Sequence, residues 1–222
     1  MNVLVILVGF VVVVYILAWL FNRSKSLSNF ADGKNELIIP ATSLPSGASV
    51  NFTYSIWIYV DDWSYRYGQE KIIFSRGTET SFMPALSLGP LDNTLQVTMT
   101  TDNGHPFEVA VPNIPIQKWT NLIVSLNTKT LDIYVNGKLV RTSVLPGMPM
   151  VNPTTSLKLT PRGGFSGLTS RFNYWSDTMN PQEAWNVYKT GPGGNIFSHF
   201  FNQYKIQFNF LKGDDVKASL TI

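Results

Sequence analysis

The stretch Lys118-Trp-Thr-Asn-Leu-Ile-Val-Ser-Leu-Asn-Thr-Lys-Thr-Leu-Asp-Ile-Tyr-Val-Asn-Gly-Lys-Leu-Val140 decides the fold. Leu122, Val124 and Leu126 recur at every second position, as do Leu131, Ile133 and Val135. That period belongs to strands with one face on a core. Between Asp132-Ile-Tyr-Val135 and Lys138-Leu-Val-Arg141 stands Asn136-Gly137, the pair that best tolerates positive φ at both centres of a type I′ turn. The segment therefore reads as an antiparallel hairpin, with Trp119 and the alternating aliphatics expected to face the core.

The same alternation extends in both directions. Phe52, Tyr54, Ile56, Ile58 and Val60 alternate with Thr53, Ser55, Trp57 and Tyr59; Leu95, Val97 and Met99 form another run, and Tyr204, Ile206, Phe208 and Phe210 a last one. Asp102-Asn103-Gly104, Leu145-Pro146-Gly147 and Arg162-Gly163-Gly164 punctuate them as turns. One helix is expected over 180–189, with Asn180 as N-cap, Pro181 in the first turn and Glu183 three residues on. Gly191-Pro-Gly-Gly ends it. Many short strands, one short helix and no βαβ alternation predict an all-β, two-sheet antiparallel jelly-roll sandwich.

The N-terminus has a different character. From Val3 to Phe21 no residue is charged, and as a helix this run would reach roughly 28 Å, close to the hydrocarbon thickness of a bilayer. Tyr15 and Trp19 lie toward its end and Arg23 and Lys25 follow, an aromatic belt and then a positive flank. A cleaved signal peptide would carry positive charge before the run and a small-residue cleavage site after it, and neither is present. The expected organisation is a transmembrane helix at 1–22, a juxtamembrane stalk and lead-in at 23–44, and the sandwich at 45–222. Positive charge on the C-terminal side alone puts the domain on the cytosolic side. Asn22-Arg-Ser and Asn51-Phe-Thr match the glycosylation pattern, but one lies too near the membrane and the other inside a strand.

Composition excludes several function classes. Cysteine is absent, so there are no disulfides, thiolate metal sites or cysteine nucleophiles. The net charge is only +3, with Lys and Arg spread along the chain, so nucleic-acid binding has no electrostatic footprint. His105 and His199 are the two histidines and are too far apart in sequence to suggest a metal motif.

Three segments in order resemble the concanavalin A-like lectin and laminin-G superfamily. They are Phe52–Val60 with Lys71–Gly77, the hairpin segment above, and Gly164–Trp175 followed by the helix. The resemblance implies a jelly roll, and that superfold carries lectins, hydrolases, receptor modules and structural parts. Its glycoside hydrolases place carboxylates at alternate positions of one strand, because acid and nucleophile must stand about 5 Å apart. Here Glu36, Glu70, Glu79, Glu108 and Glu183 are scattered, so no enzyme is expected. Calcium held by rim aspartates, such as Asp61, Asp62, Asp92 or Asp102, is the one cofactor the resemblance leaves open; turn capping is the simpler role for them.

Trp63, Tyr65, Arg66 and Tyr67 in Asp61-Asp-Trp-Ser-Tyr-Arg-Tyr-Gly68 are the candidate contact residues for a partner protein or a glycan. An N-terminal anchor on a Cys-free domain of this type also resembles proteins of large icosahedral DNA viruses, whose minor capsid proteins lie between an internal membrane and the outer shell. The leading expectation is a membrane-anchored structural protein, bound to lipid through 3–21 and to capsid proteins at the virion membrane–shell interface. A membrane-anchored, lectin-like glycan-binding module is the alternative.

Overall fold

The structure, a computed structural model, describes residues 24–44, 50–78, 80–152 and 154–193, and the backbone of 207–212 and 215–221. Among the described residues thirteen strands precede the helix: β1 (Lys25–Ser28), β2 (Ala31–Asp32), β3 (Leu37–Ile39), β4 (Phe52–Asp62), β5 (Lys71–Gly77), β6 (Phe82–Leu88), β7 (Leu95–Thr100), β8 (Pro106–Val111), β9 (Thr120–Asn127), β10 (Thr130–Val135), β11 (Lys138–Val144), β12 (Leu157–Leu159) and β13 (Ser166–Trp175). Helix α1 (Pro181–Lys189) follows, and then β14 (Gln207–Lys212) and β15 (Asp215–Thr221).

Two antiparallel sheets make the sandwich. One runs in the order β1-β13-β4-β9-β10-β11, with β2 also on β13; the other runs β3-β12-β5-β6-β7-β8. The alternation read from sequence supplies the facing layers. Phe52, Tyr54, Ile56, Ile58 and Val60 of β4 meet Leu122, Val124 and Leu126 of β9 and Leu131 and Ile133 of β10 in one core with Val97, Met99, Leu157, Leu159 and Phe172. The two-sheet fold class is as the periodicity indicates.

The predicted turn and helix form as expected. Asn136 and Gly137 have φ of 52° and 72°, and Val135 pairs with Lys138 across them. The Asn180 side chain accepts from the Glu183 N–H at 2.9 Å while the Glu183 carboxylate accepts from the Asn180 N–H at 2.8 Å, a reciprocal cap that meets two donors a helix start leaves orphaned.

Three expectations need correction. The stalk at 23–44 is not a tether: β1 and β2 pair with β13 and β3 pairs with β12, so this segment supplies strands to both sheets, and Lys25 sits in β1. The sandwich does not run to 222 either. The described strands beyond residue 191, β14 and β15, fall in a second unit and pair with each other. Trp119 does not enter the core. It lies half-buried against Phe30, 5.6 Å between ring centroids, and Tyr59, 5.7 Å, on the outer face that Tyr59 shares because odd positions of β4 point away from the core. The apolar run 3–21, with Tyr15, Trp19 and Arg23, lies outside the described residues. Among the described residues no helix is long and apolar enough to cross a membrane.

Candidate functional site

The outer face of the second sheet carries the positions opposite to the core. A one-residue bulge sets them. Ile73 and Phe74 of β5 both turn inward, with the register slipping between Ile72 and Phe74, so Ile72 and Ser75 both face out. From Ser75 a single transverse row crosses the sheet: Lys158 pairs with Ser75, Ser75 with Ala85, Ala85 with Thr98 and Thr98 with Glu108. The neighbouring row runs Ile72, Ser87, Gln96, Ala110.

Small side chains at the middle of both rows leave a groove of about 510 Å³, a volume within the usual range of ligand sites. Its floor is Ser75, Ala85, Ser87 and Thr98; Glu36, Glu70, Glu108, Lys158 and Arg162 bring charge to its margins. Strand spacing of about 4.8 Å puts Lys158 and Glu108, four strands apart, at opposite ends of a row of roughly 19 Å. Glu70 accepts a short hydrogen bond from the Ser87 hydroxyl, which fixes one carboxylate over the floor. No two of these carboxylates share a strand, since Glu36 and Glu70 lie just outside β3 and β5 and Glu108 is on β8.

The predicted contact loop stands at one end of this groove, and it is not a uniform surface. Trp63 is half-buried and packs on the core, and the ammonium of Lys71 lies 4.4 Å from its ring centroid. Tyr65 receives Lys34 in the same way at 4.8 Å. Arg66 has φ of 54°; its carbonyl accepts from Lys71 Nζ at 3.3 Å, and its buried Nε has no hydrogen-bond partner. Tyr67 is 63 % exposed. A Cβ on Gly163 would come within 3.0 Å of the Arg66 guanidinium and 3.2 Å of the Tyr65 hydroxyl, so the loop abuts the turn whose Arg162 lines the groove.

Lys71 is itself unusual, being fully buried. Burial, and then the charge of Arg66, hold its ammonium below the usual lysine range. In the core, burial pushes the Tyr54 hydroxyl well above the ordinary phenol value even though Arg76 Nη1 donates to it at 3.3 Å.

Three of the four aspartates named for calcium, Asp62, Asp92 and Asp102, accept from backbone N–H groups. Asp62 accepts from the Ser64 hydroxyl and N–H, bonds that lower its pKa. Asp92 accepts from the Thr94 N–H and Asp102 from the Met148 N–H. Among the described residues no three His, Asp or Glu side chains are grouped so as to hold a metal ion.

The family model for the concanavalin A-like lectin/glucanases superfamily matches residues 31–185, the span from β2 into α1. The chain belongs to this superfamily. Solved structures share the superfamily fold with it: the receptor-binding domain of botulinum neurotoxin D at 15 % identity and a TM-score of 0.59, covering 74 % of this chain and 44 % of that one; the binding domain of botulinum neurotoxin serotype G at 14 % and 0.55, covering 76 % and 50 %; and the binding domain of Paraclostridial Mosquitocidal Protein 1 at 15 % and 0.57, covering 72 % and 42 %. The superfamily domain thus spans half or less of each of those chains, and at such identities the likeness is one of fold. No curated protein sequence matches this superfamily member.

Glu36, Glu70 and Glu108 stand in the sequence only as scattered glutamates, and the floor residues are not singled out there. Their only local mark is that they occupy the non-core positions of strands. Bringing Ser75, Ala85, Thr98 and Glu108 into one row requires the register between four strands, and the bulge at Ile73 reverses the alternation on which a sequence reading of β5 would rely.

Proposed function

We propose that the domain is a lectin-like binding module that takes an extended, hydroxyl-rich oligosaccharide along the outer face of the second sheet, without cleaving it. The observation that carries this reading is the continuous row Lys158, Ser75, Ala85, Thr98, Glu108, flat in the middle and polar at both ends. Membership of a superfamily of lectins and glucanases supports the ligand class. The Glu70 carboxylate is engaged by the Ser87 hydroxyl, and no two groove carboxylates lie on one strand; binding without hydrolysis is part of the proposal. Attachment to a bilayer through residues 3–21, with the domain on the cytosolic side, is the proposed setting and rests on the sequence pattern. The test is a glycan array probed with the full chain. Binding of an oligosaccharide at micromolar strength is expected, and an array without any such hit overturns the reading.

A second reading, a structural connector between an internal viral membrane and a capsid shell, is favoured by one feature. Edge strand β11 exposes Leu139, Val140 and Val144, the last at 67 %, and an open apolar edge is a ready site for a protein neighbour. Co-purification with a capsid shell, lost in Val144→Lys, is the outcome this second reading requires.

A further inference from the structure

The first sheet has an occupied outer face and, beside it, an open one. Thr53 Oγ1 donates to the Asp177 carbonyl at 2.8 Å, Ser125 Oγ accepts from the Met179 N–H at 2.9 Å, and the Tyr134 hydroxyl donates to the Met179 carbonyl at 3.2 Å. These bonds pin the segment leading into α1. The helix is then seated over β4, β9 and β10 by buried Ala184 and by Tyr188, whose ring stacks on Trp57. Seated there, α1 stops short of β13 and leaves a cleft of about 930 Å³ beside it.

Both walls of the cleft follow from periodicity. Phe172 and Tyr174 of β13 point into the core, so Arg171, Asn173 and Trp175 point out and form one wall. Glu183, Asn186 and Val187, with Thr190 at the helix end, form the other, at the three-and-four spacing of a single helical face. A register shift in the pairing of β13 with β4 falls between Ser170 and Asn173, and Arg171 has φ of 44°. Bulges of this kind re-aim a side chain. Here Arg171 Nη1 donates to the Thr190 carbonyl at 3.2 Å, tying the strand to the end of the helix and fixing the width of the cleft.

We propose that this cleft is a second saccharide site, taking a single neutral pyranose whose C–H face lies on Trp175 and whose hydroxyls meet the side-chain amides of Asn173 and Asn186. An indole ring offers an apolar platform with a polar edge, and planar amides supply donors and acceptors to vicinal hydroxyls; Asn186 Oδ1 accepts from Gln182 Nε2 at 3.2 Å, so its Nδ2 is the group that donates to the sugar. The charges in the lining set the ligand class further. Among the described residues the lining holds one cation, Arg171, and it is already bonded to the Thr190 carbonyl, so a carboxylate or sulfate on the sugar finds no unengaged cation there. Walls held by buried hydrogen bonds before the ligand arrives lower the ordering cost of binding. The site is independent of the groove on the other sheet, and with both occupied the domain bridges two glycans from opposite faces.

The test is saturation-transfer NMR on the full chain, kept in a detergent without a sugar headgroup. The probes are the methyl pyranosides of glucose, galactose, mannose and N-acetylglucosamine, with methyl glucuronide as the charged counterpart. At least one neutral pyranoside is expected to bind, at least fivefold more tightly than the glucuronide. Trp175→Ala and Asn186→Ala should each weaken it tenfold or more, whereas Ala85→Trp, which fills the groove on the other sheet, should leave it within twofold. Asn186 is exposed on the helix, so its variant keeps the test decisive should Trp175→Ala unfold. No transfer to any neutral pyranoside, or affinity unchanged in Asn186→Ala, overturns the proposal. Loss of binding in Ala85→Trp alone assigns the sugar to the groove, which sinks the cleft and leaves the groove reading standing.

Discussion

The rings of Trp57 and Tyr188 lie stacked, with 5.6 Å between centroids and 19° between planes. Trp57 belongs to an odd position of β4, the face turned away from the core, yet it is buried because α1 is laid over it. The contact explains why the outer face of the first sheet carries a large aromatic in the middle of a strand. Tyr188→Ala should cost about 1–2 kcal/mol from lost burial and ring contact, read as a lower urea midpoint with an unchanged slope.

Gly137 is held by the same helix. A Cβ there would lie 2.8 Å from the Tyr188 Cβ and 3.1 Å from the Trp185 ring, at a φ of +72°. Gly137→Val therefore meets both a backbone that β-branched residues resist and a wall that cannot retreat without unseating α1. Strain of this type costs of order 1–3 kcal/mol. The expected result is a lower melting temperature together with a red shift of the tryptophan emission as Trp57 loses its cover, and an unchanged melt contradicts it.

Lys71 predicts a pH dependence. Its folded pKa lies below the ordinary value, so across the window from that lowered value up to the unfolded one near 10.4 the unfolded chain binds more protons, and stability rises with pH. The buried tyrosines act oppositely and only later: Tyr54 and Tyr174 are raised by burial, so their contribution is lost above about pH 10. Lys71→Met should melt higher than the wild type at pH 7, because an apolar side chain avoids the cost of burying the ammonium, and should lose the alkaline rise. Parallel melting curves from pH 7 to 10 for both proteins would contradict this account.

The loop aromatics should separate in behaviour. Trp63 packs on the core and carries the Lys71 ammonium on its ring, so Trp63→Ala is expected to lose about 2–4 kcal/mol. Tyr67 is exposed, and Tyr67→Ala should fall within about 0.5 kcal/mol of wild type. Thermal melts of the two variants check the division directly.

Much of the sandwich was legible because alternation alone separates Ile56, Val124 and Ile133 from their polar neighbours, and because Asn136-Gly137 admits few turns. Trp119 misled, since a large aromatic at a strand entrance looks like core, and only the packing of Phe30 and Tyr59 beside it provides an outer-face niche. Residues 25–39 read as a stalk because their strands are short and two of them lie at sheet edges, where polar side chains are tolerated. The groove was illegible for a different reason: Lys158 and Glu108 are 50 residues apart, and the row between them exists only through register.

The measurement that bears most directly on the proposed function is calorimetric titration of the array-selected oligosaccharide into the wild-type chain and into Ala85→Trp. Ala85 lies at the centre of the transverse row, half-buried and facing out, and tryptophan is well accommodated on strands, so the variant should fold and melt as the wild type does. The account predicts at least a tenfold loss of affinity with the melting temperature preserved; equal affinity in the two proteins would contradict it.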